Sequence, residues 1–497
     1  MRPINPRTRS SSELAQLLGI SEIENSFSFT GVTSSTYALE SGDLFVALPG
    51  MKNHGATFLS QAKDKGAVAV LTDAEGAKIA QSILPVVVIE NPRFYLGDIS
   101  AWFYGSPFRA LHAVGITGTN GKTTTASLLH QIWALNNREA GFIGTTGISL
   151  GKEQYPAQFT TPESPELQAA VATMVERNFH NLVMEVSSHA IAQKRIAGSH
   201  YSTVSFTNLT QDHLDFHGNM ESYFATKAKL FTTEFAERGF VNIDDAYGVK
   251  LCGMAGIPIH TVSRDSKKAD WHYVSHQISG DGYEISIRGI GGILIEGHLP
   301  LVGAHNLDNA LMAIALAVDS GVDPLSIAMD LNRLRGPEGR LEKVDLGQKF
   351  LALVDYAHTP DAVERVLSAV REITSGKVIA VLGCGGDRDA KKRPLMGKAL
   401  AAGADFAIFT SDNPRSEEPM SILNEMTSGL ASELEKNEKV IIEEDRRGAI
   451  AIAVSEAQPG DVVVVLGKGH ETGQEINGER QPFDDRLELA RAIERLA

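Results

Sequence analysis

Runs of consecutive apolar residues alternate along this chain with segments in which apolar residues recur every three or four positions. Near the N-terminus, apolar runs within 41–50, 66–72 and 85–90 predict short strands, and helical spacing over 12–19 predicts a helix that Gly19 ends. Farther along, apolar runs without polar interruption are typical of parallel strands buried on both faces; they lie at 350–356, 377–386, 404–412 and 461–467. Because helical patterns separate these runs, we expect an α/β protein with a doubly wound parallel sheet near its C-terminus.

Two polar interruptions divide this pattern. The segment 102–112 contains Gly-Ser-Pro, and the segment 334–342 contains Gly and Pro among charged residues, so each is interpreted as a domain boundary. The length of 497 residues is consistent with domains of about 150 residues each. We therefore predict three domains, at 1–108, 109–337 and 338–497.

Composition excludes some classes of function. The chain has 46 Lys and Arg against 61 Asp and Glu, and a net charge of −15 argues against a general nucleic-acid-binding protein. Its two cysteines, Cys252 and Cys384, are too few for a disulfide scaffold and are expected to be reduced thiols. No apolar stretch approaches the ~18 residues of a membrane span, and no targeting segment is visible. We therefore expect a cytoplasmic protein that binds neither nucleic acid nor membrane.

The strongest chemical signal is GITGTNGKTTT at 115–125. It follows a predicted strand and opens a predicted helix, which is the context in which backbone N–H groups wrap a polyphosphate. In such a loop Lys122 would reach the β- and γ-phosphates and the Thr123 hydroxyl would bind Mg²⁺. The common pattern G-x-x-x-x-G-K-[ST] would place glycine where this chain has Ile116, so the loop is a variant.

That variant, TGTNGKTT, resembles the phosphate loop of the Mur ligases, the ATP-dependent amide-bond-forming enzymes of peptidoglycan precursor synthesis, and of the related folylpolyglutamate synthetases. Other segments extend the resemblance over nearly the whole chain: TTPES (160–164), MEVSSHA (184–190), TNLTQDHLDFHG (207–218), KAKLF (227–231), GAHNLDNALMA (303–313), DYAHTP (355–360), GCGGDRDAKKRPLMG (383–397), DNPRSEEP (412–419) and LGKGHE (466–471). The resemblance implies a UDP-binding domain, a central ATPase domain and a C-terminal Rossmann-like domain. It also implies a monomeric cytoplasmic enzyme that adds meso-diaminopimelate to UDP-N-acetylmuramoyl-L-alanyl-D-glutamate through an acyl phosphate.

The resemblance also implies an ATP site and a magnesium site. The matching ATP-binding residues are Gly118, Thr119, Asn120, Gly121, Lys122, Thr123, Thr124, Asn306, Arg340 and Asp355. The matching metal ligands are Thr123, Glu185, His213 and Lys227, with Lys227 carbamylated by CO₂. The residues alone leave Glu185 evenly divided between a metal ligand and a capped strand end. By themselves, His213 and Lys227 would more often be a structural histidine and a solvated lysine.

Two further sets follow from the resemblance. The UDP-muramoyl-dipeptide would contact Thr36, Thr160, Thr161, Ser187, Gln193 and Arg195. The diaminopimelate would contact Arg388, Asp412, Asn413, Pro414, Arg415, Gly467 and Glu471. Where the family commonly has Asp-Ser-Arg before GDLFVALPG, this chain has Ser35-Thr36-Tyr37, which removes an arginine from the uridine contacts.

Three alternatives remain open from the sequence. Two lie within the same enzyme class: a lysine-adding version of the ligase and a folylpolyglutamate synthetase-like enzyme. The third is a phosphate-loop switch or motor that is not a ligase. A guanidinium at Arg415 suits a ligand carboxylate, which argues against the lysine-adding version. DNPR together with the TTPES and QDHLDFH segments argues against the folate enzyme, and the Ile116 variant and the carbamylatable Lys227 argue against the third alternative.

Overall fold

The computed structural model describes residues 1–21, 23, 25–50, 53–80, 83–280, 282–430 and 439–496. The chain forms two compact units, and each is described by itself. The first contains Met1–Val274, Ile287–Ile295 and Asp308–Ile327, and the second contains Ser275–Ser286, Glu296–Leu307 and Ala328–Ala497. The domain boundaries expected after residues 108 and 337 stay predictions.

The first unit opens with a parallel sheet in the region where short strands were expected. In spatial order its strands are β3 (Gly31–Thr33), β4 (Asp43–Val46), β5 (Ala69–Thr72) and β6 (Val86–Val88), and β1 (Arg9–Ser10) pairs antiparallel with β2 (Ser28–Phe29). The helices of this region are Ser11–Leu18, Leu59–Asp64, Ala74–Ala80 and Pro92–Tyr104, with 3-10 turns at Gly55–Phe58 and Pro107–Ala110. The first helix begins at a capping box between Ser10 and Glu13, and it ends at Gly19, the residue that the sequence predicts as its end.

A second sheet follows the first predicted boundary. Its strands are β7 (His112–Thr117), β8 (Ala140–Gly144), β9 (Gly147–Leu150), β10 (Glu153–Tyr155), β11 (Asn181–Glu185), β12 (Tyr201–Phe206), β13 (Ala236–Asn242), β14 (Ile259–Ser263), β15 (Trp271–Ser279), β16 (Gly282–Arg288) and β17 (Leu294–Leu299). The spatial order is β10-β9-β8-β11-β7-β12-β13-β14-β15-β16-β17, and the run from β8 to β14 is parallel. The carboxyl ends of β7, β11 and β12 therefore meet at one edge, where parallel sheets place their ligands.

Helices connect these strands. They are Lys122–Leu135, Ser164–Glu176, Ser188–Ala192, Leu214–His217, Met220–Ala228, Ala246–Cys252, Ala304–Asp319 and Pro324–Asp330, with 3-10 turns at Ile290–Gly292 and Leu331–Arg333. The helix that the sequence predicts directly after the phosphate-loop motif is thus present, as Lys122–Leu135.

The second unit contains the predicted C-terminal sheet. Its spatial order is β18 (Glu342–Lys343), β19 (Leu351–Asp355), β23 (Val462–Leu466), β20 (Val378–Leu382), β21 (Phe406–Phe409) and β22 (Val440–Ile442), and only β18 is antiparallel to its neighbour. A hairpin, β24 (Gly473–Ile476) with β25 (Glu479–Pro482), follows β23. The helices are Pro360–Glu372, Arg393–Gly403, Pro419–Thr427, Arg446–Glu456 and Asp485–Glu494, with a 3-10 turn at Ala390–Lys392.

Strand β23 shows why the apolar runs have no polar interruption. Val462 and Val464 pack with the helices Pro360–Glu372 and Arg393–Gly403, whereas Val463 and Val465 pack with Arg446–Glu456 and Asp485–Glu494 on the other face. Successive side chains of a strand point to opposite faces, so a sheet covered on both sides needs apolar residues at every position.

Among the described residues, no helix is long and apolar enough to cross a membrane. Both cysteines are free thiols; Cys384 is buried, and its burial raises the pKa to about 12.

Candidate active site

The phosphate loop connects β7 to the helix Lys122–Leu135. Gly121 has a left-handed φ of 83°, and a Cβ there would overlap the Asn309 carboxamide, so both conformation and space require glycine. Ile116 lies inside β7, fully buried, and pairs with Glu185 of β11 and Ser205 of β12. The variant is thus a loop whose first glycine position has become a core strand residue.

A second segment supports this loop from the end of β12. The Asn208 carbonyl accepts the Thr119 N–H at 2.9 Å, and the Asn208 side-chain oxygen accepts the Asn120 N–H at 2.9 Å. The Thr207 hydroxyl donates to the Asn120 carbonyl at 2.6 Å. The segment TNLTQDH therefore fixes the backbone of the phosphate loop; Thr124 is buried in the first turn of the helix that follows.

Two lysines converge on the carbonyls of this loop. The Lys122 ammonium donates to the carbonyls of Gly118 and Thr119 at 3.0 and 2.8 Å. The Lys227 nitrogen lies 2.9 Å from the same Gly118 carbonyl and 4.8 Å from the centre of the Tyr223 ring, with 1% of the residue exposed. Burial first, and repulsion by Lys122 second, lower the pKa of Lys227 well below its usual value. Lys227 is therefore a buried amine, not the solvated lysine that its sequence context alone favours.

Glu185 ends β11 as a fully buried carboxylate. Its oxygens accept the Thr123 hydroxyl at 2.9 Å and the Thr145 N–H at 2.8 Å. The Thr145 hydroxyl lies 3.1 Å from that of Thr160. A carboxylate and a threonine hydroxyl in contact at the start of a phosphate-loop helix are the hard oxygen donors that Mg²⁺ prefers.

His213 immediately precedes the short helix Leu214–His217. It is half-exposed, has a φ of 52° and lies 3.3 Å from the Asp212 carboxylate. Its ring makes edge contacts with His189 and Tyr223, at centroid distances of 4.7 and 6.4 Å. Since the Tyr223 hydroxyl lies 3.2 Å from the Thr119 hydroxyl, Tyr223 connects His213 to the phosphate loop.

Most of the residues assigned to the muramoyl dipeptide form one connected group. The Thr161 hydroxyl donates to the Glu185 carbonyl at 2.9 Å and accepts the Ser187 N–H at 3.1 Å. Arg195 is buried; its guanidinium donates to the Gln193 side chain at 2.7 Å and pairs with Glu163 at 3.0 Å. Thr160 joins the group through Thr145.

Thr36 lies apart from that group, in the turn before β4. It is buried, and its carbonyl accepts the Lys65 ammonium at 2.7 Å. The next residue, Tyr37, is 93% exposed, at the position where the family commonly has arginine.

A cavity of about 450 Å³ in the second unit is lined by Asn306 and by five residues of the predicted linker: Arg335, Gly336, Arg340, Leu341 and Glu342. The Asn306 side chain donates to the Val302 carbonyl at 2.7 Å, and the Arg340 guanidinium lies 5.0 Å from the Tyr356 ring centre. Asp355 is buried, which raises its pKa, and its two oxygens accept the Leu341 and Ala357 N–H groups at 2.7 and 2.8 Å. Asp355 thus fastens the linker turn to the end of β19.

A second cavity, of about 310 Å³, lies at the carboxyl ends of β19, β20, β21 and β23. Its lining includes six of the seven residues assigned to diaminopimelate: Arg388, Asp412, Asn413, Arg415, Gly467 and Glu471. Pro414 lies between two of them in the chain. Arg415 has a φ of 53°, and its guanidinium donates to the Gly386 carbonyl at 2.6 Å and pairs with Glu475 at 3.3 Å. The cavity therefore presents cations and carboxylates together, as a zwitterionic ligand needs.

Several known proteins are similar to this chain over nearly its whole length. A relative from Streptomyces coelicolor named UDP-N-acetylmuramoyl-L-alanyl-D-glutamate--2,6-diaminopimelate ligase is 45% identical over 497 residues, covering 99% of this chain and 98% of its own. A relative of the same name from Corynebacterium glutamicum is 41% identical over 480 residues, covering 95% and 92%. A solved structure of a ligase of that name has a TM-score of 0.72 at 32% identity and covers 99% of each chain.

Family models match three stretches of the chain. They are the Mur ligase family catalytic domain at residues 28–104, the Mur ligase middle domain at 116–317 and the Mur ligase glutamate ligase domain at 339–469. The chain belongs to the Mur ligase family. Its three-domain α/β architecture, predicted from the sequence, is confirmed.

One buried lysine of this Mur ligase escaped the sequence reasoning. Lys468, in the LGKGHE segment, is 0% exposed, and its ammonium donates to Asn413 at 3.0 Å and lies 3.3 Å from oxygens of Asp412 and Glu471. Asn413 also donates to Glu471 at 2.9 Å. Lys468 is the second residue after β23 and lies between two glycines, a position where a lysine is usually solvated. The sequence also does not indicate four residues that contact the phosphate loop or Glu185 from distant parts of the chain: Thr145, Thr207, Asn208 and Tyr223.

A buried ion pair lies beside the loops that line the cavity of about 310 Å³. Arg446 and Asp485 are both fully buried and paired at 2.6 Å. The guanidinium also donates to the Leu466 carbonyl at 2.9 Å and the Ser411 carbonyl at 3.4 Å. Arg446 therefore connects the ends of β23 and β21, from which the Lys468 and Asp412 loops begin.

Close backbone packing joins the linker to the same loops. Gly339 has a φ of 67°, and a Cβ there would overlap the backbone of Gly469 and His470. The Gly339 carbonyl accepts the Tyr356 N–H at 2.8 Å, and the Tyr356 ring contacts His470. Only glycine allows the linker to approach the loop this closely.

Proposed function

We propose that this Mur ligase joins meso-diaminopimelate to UDP-N-acetylmuramoyl-L-alanyl-D-glutamate, at the expense of ATP, in peptidoglycan precursor synthesis. The observation that carries the proposal is the cavity at the end of the C-terminal sheet, which gathers Arg388, Arg415, Asp412 and Glu471. Relatives named for this reaction are 41% and 45% identical over nearly the whole chain. Both lines of support point to the same substrate class.

The cavity suits the distal end of diaminopimelate better than that of lysine. Diaminopimelate carries a carboxylate beside its distal amine, and lysine does not. A planar guanidinium binds a carboxylate through two parallel hydrogen bonds, so Arg415 and Arg388 would hold that group. Asp412, Asn413 and Glu471 would accept hydrogen bonds from the neighbouring ammonium, and Gly467 would leave room for it.

The reaction proceeds in two balanced steps. An oxygen of the free D-glutamyl carboxylate attacks the γ-phosphorus of ATP, forming an acyl phosphate and releasing ADP. The amine of the incoming amino acid attacks the acyl carbon, loses a proton, and inorganic phosphate leaves. Lys122 and the phosphate-loop N–H groups would neutralise the transferring phosphoryl group, and Thr160, Thr161, Ser187, Gln193 and Arg195 would orient the dipeptide.

The residues of the phosphate loop fit a magnesium ion. Thr123 and Glu185 place a hydroxyl and a buried carboxylate 2.9 Å apart, and bound Mg²⁺ would supply charge neutralisation for the phosphates. Lys227 would join these ligands after modification, because carbamylation would turn its amine into an anionic oxygen donor. Its neutral amine would attack CO₂, and loss of one proton would leave an anionic carbamate. His213 would orient this group of ligands through Tyr223.

Residues outside the phosphate loop would make further contacts with the substrates. Asn306, Arg340 and Asp355 would contribute to ATP binding, with Asp355 acting by fixing the turn that carries Arg340, and Thr36 would contact the uridine nucleotide. The enzyme would act on these small molecules as a cytoplasmic monomer.

The test is an amino-acid panel with UDP-muramoyl-dipeptide and ATP. We expect phosphate release to require both the UDP substrate and meso-diaminopimelate, and a product of the corresponding mass. Equal use of L-lysine would favour the lysine-adding version, and activity on a folate with glutamate would favour the folylpolyglutamate alternative. ATP hydrolysis that needs neither substrate would refute a ligase.

A further inference from the structure

The Lys468 ammonium is enclosed by the residues assigned to the incoming amino acid. It has three N–H donors and three acceptors, on Asp412, Asn413 and Glu471, at 3.0 to 3.3 Å. With 0% of the residue exposed, no donor is left for solvent. Lys468 thus lies behind the cavity wall and acts on a ligand through those three side chains.

The charge around the cavity explains what this arrangement does. The lining contains three cations, Arg388, Lys392 and Arg415, and two carboxylates, Asp412 and Glu471. Both carboxylates contact Lys468, whose single positive charge offsets one of their two negative charges from behind the cavity wall. Arg415 is also paired with Glu475, so the four cations Arg388, Lys392, Arg415 and Lys468 face three carboxylates. Lys468 therefore supplies the excess positive charge that favours an anionic group over a lone ammonium.

We infer that Lys468 is a specificity-determining residue, whose ammonium compensates Asp412 and Glu471 and so favours an amino acid with a carboxylate at its distal end. The inference rests on the proposed function and extends it. Arg415 binds the distinguishing carboxylate, and Lys468 prevents the two acids from forming an equally good site for the side-chain ammonium of lysine. Discrimination between the two amino acids would then depend on a residue that touches neither of them.

The experiment compares Lys468→Gln with Lys468→Arg. Glutamine keeps hydrogen-bonding capacity without charge, and arginine keeps the charge. Lys398→Gln, at an exposed lysine of the helix Arg393–Gly403, is the matched control for loss of one positive charge. For each protein we would measure kcat/KM for meso-diaminopimelate, the inhibition constant of L-lysine and the KM for ATP.

We expect Lys468→Gln to lower the preference for diaminopimelate over lysine by on the order of tenfold or more, with an unchanged KM for ATP. Lys468→Arg should restore most of the preference, and Lys398→Gln should leave it at the wild-type value. A purely structural role would weaken both amino acids equally, and an unchanged preference in Lys468→Gln would overturn the inference.

A second variant keeps the test decisive if Lys468→Gln does not fold. Glu471→Gln, at a partly exposed side chain, makes the cavity more positive and should raise the preference for diaminopimelate. A lower or unchanged preference would contradict the inference. If the wild-type protein uses neither amino acid, the proposed function itself fails, and that result is distinct from both outcomes.

Discussion

Two buried lysines of this Mur ligase have opposite surroundings. Lys227, in the first unit, lies against a backbone carbonyl, a hydroxyl and an aromatic ring, with the cation Lys122 nearby. Lys468, in the second unit, lies among two carboxylates and an amide. The two side chains are almost equally buried, at 1% and 0% exposure, so their electrostatic environments differ only through the groups that contact them.

The comparison shows what partners do to a buried amine. Without a compensating carboxylate in contact, burial favours the neutral form, and a neutral amine is a nucleophile that can react with CO₂. At Lys468, by contrast, two carboxylates in contact pair the buried ammonium beside the second cavity. One residue type therefore lies in two different electrostatic settings, beside neutral groups and a cation at Lys227 and between two carboxylates at Lys468.

The strongest test of the comparison is Lys227→Ala. Because the proposed carbamate would complete the metal site, we expect kcat to fall about a thousandfold or more, and a short-chain carboxylate to restore part of it. Lys229→Ala, at an exposed lysine two positions away, should retain activity. Intact-mass measurement of active wild-type protein should show the added CO₂; an unmodified Lys227 in fully active enzyme would contradict the assignment.

Arg415→Ala tests the second unit alone. A guanidinium built to receive a carboxylate is worth ~3 kcal/mol, so the KM for meso-diaminopimelate should rise on the order of a hundredfold while the KM for ATP stays near its original value. Steady-state kinetics with each substrate varied in turn would measure this. An equal rise in both KM values would show that Arg415 supports the fold instead of the ligand.

Asp485→Asn extends the comparison to a third buried cation, Arg446, whose carboxylate partner Asp485 has no proposed role in substrate binding. Removing one member of a fully buried pair leaves Arg446 uncompensated and should lower the free energy of unfolding by about 3 kcal/mol. Calorimetry and hydrogen exchange in β23 would measure it. The control is Arg447→Gln, since Arg447 is half-exposed in its pair with Glu488 and should cost under about 1 kcal/mol. Similar losses in the two variants would argue against a special role of burial.

The smallest expected effect is a pH dependence of stability. The pKa of Lys227 is lower in the folded than in the unfolded chain, so the unfolded chain binds more protons between those two values. In CO₂-free buffer the free energy of unfolding should therefore rise with pH through this window, by at most about 1.4 kcal/mol per pH unit. Lys227→Met should remove that increment and be more stable at neutral pH; an unchanged slope in urea unfolding would show that Lys227 is charged when folded.

Much of the fold could be predicted from the sequence because its signals are local. The run VVVVL at 462–466 requires a strand covered on both faces, and Gly19 ends a helix that Ser10 and Glu13 begin. The phosphate loop was equally visible, since its glycines, lysine and threonine are consecutive.

The rest depends on contacts between distant parts of the chain. Nothing local shows that Lys468 is buried between Asp412 and Glu471, or that both Asp355 oxygens are held by backbone N–H groups. The partner of Arg195 in the structure is Glu163, a residue of TTPES that was not among the predicted site residues. Such assignments need the fold, because a charged residue gains its role from whichever group neutralises it.

The contact of Gly339 with Gly469 and His470 has a practical consequence for engineering. The LGKGHE loop of a relative, introduced to change the amino acid accepted, would have to fit against the linker residue Gly339. A loop one methyl group larger would push against the linker that carries Arg340. Successful chimeras should therefore exchange residues 334–342 and 466–471 together. Random substitution of Gly339 or Gly469 should yield few functional variants.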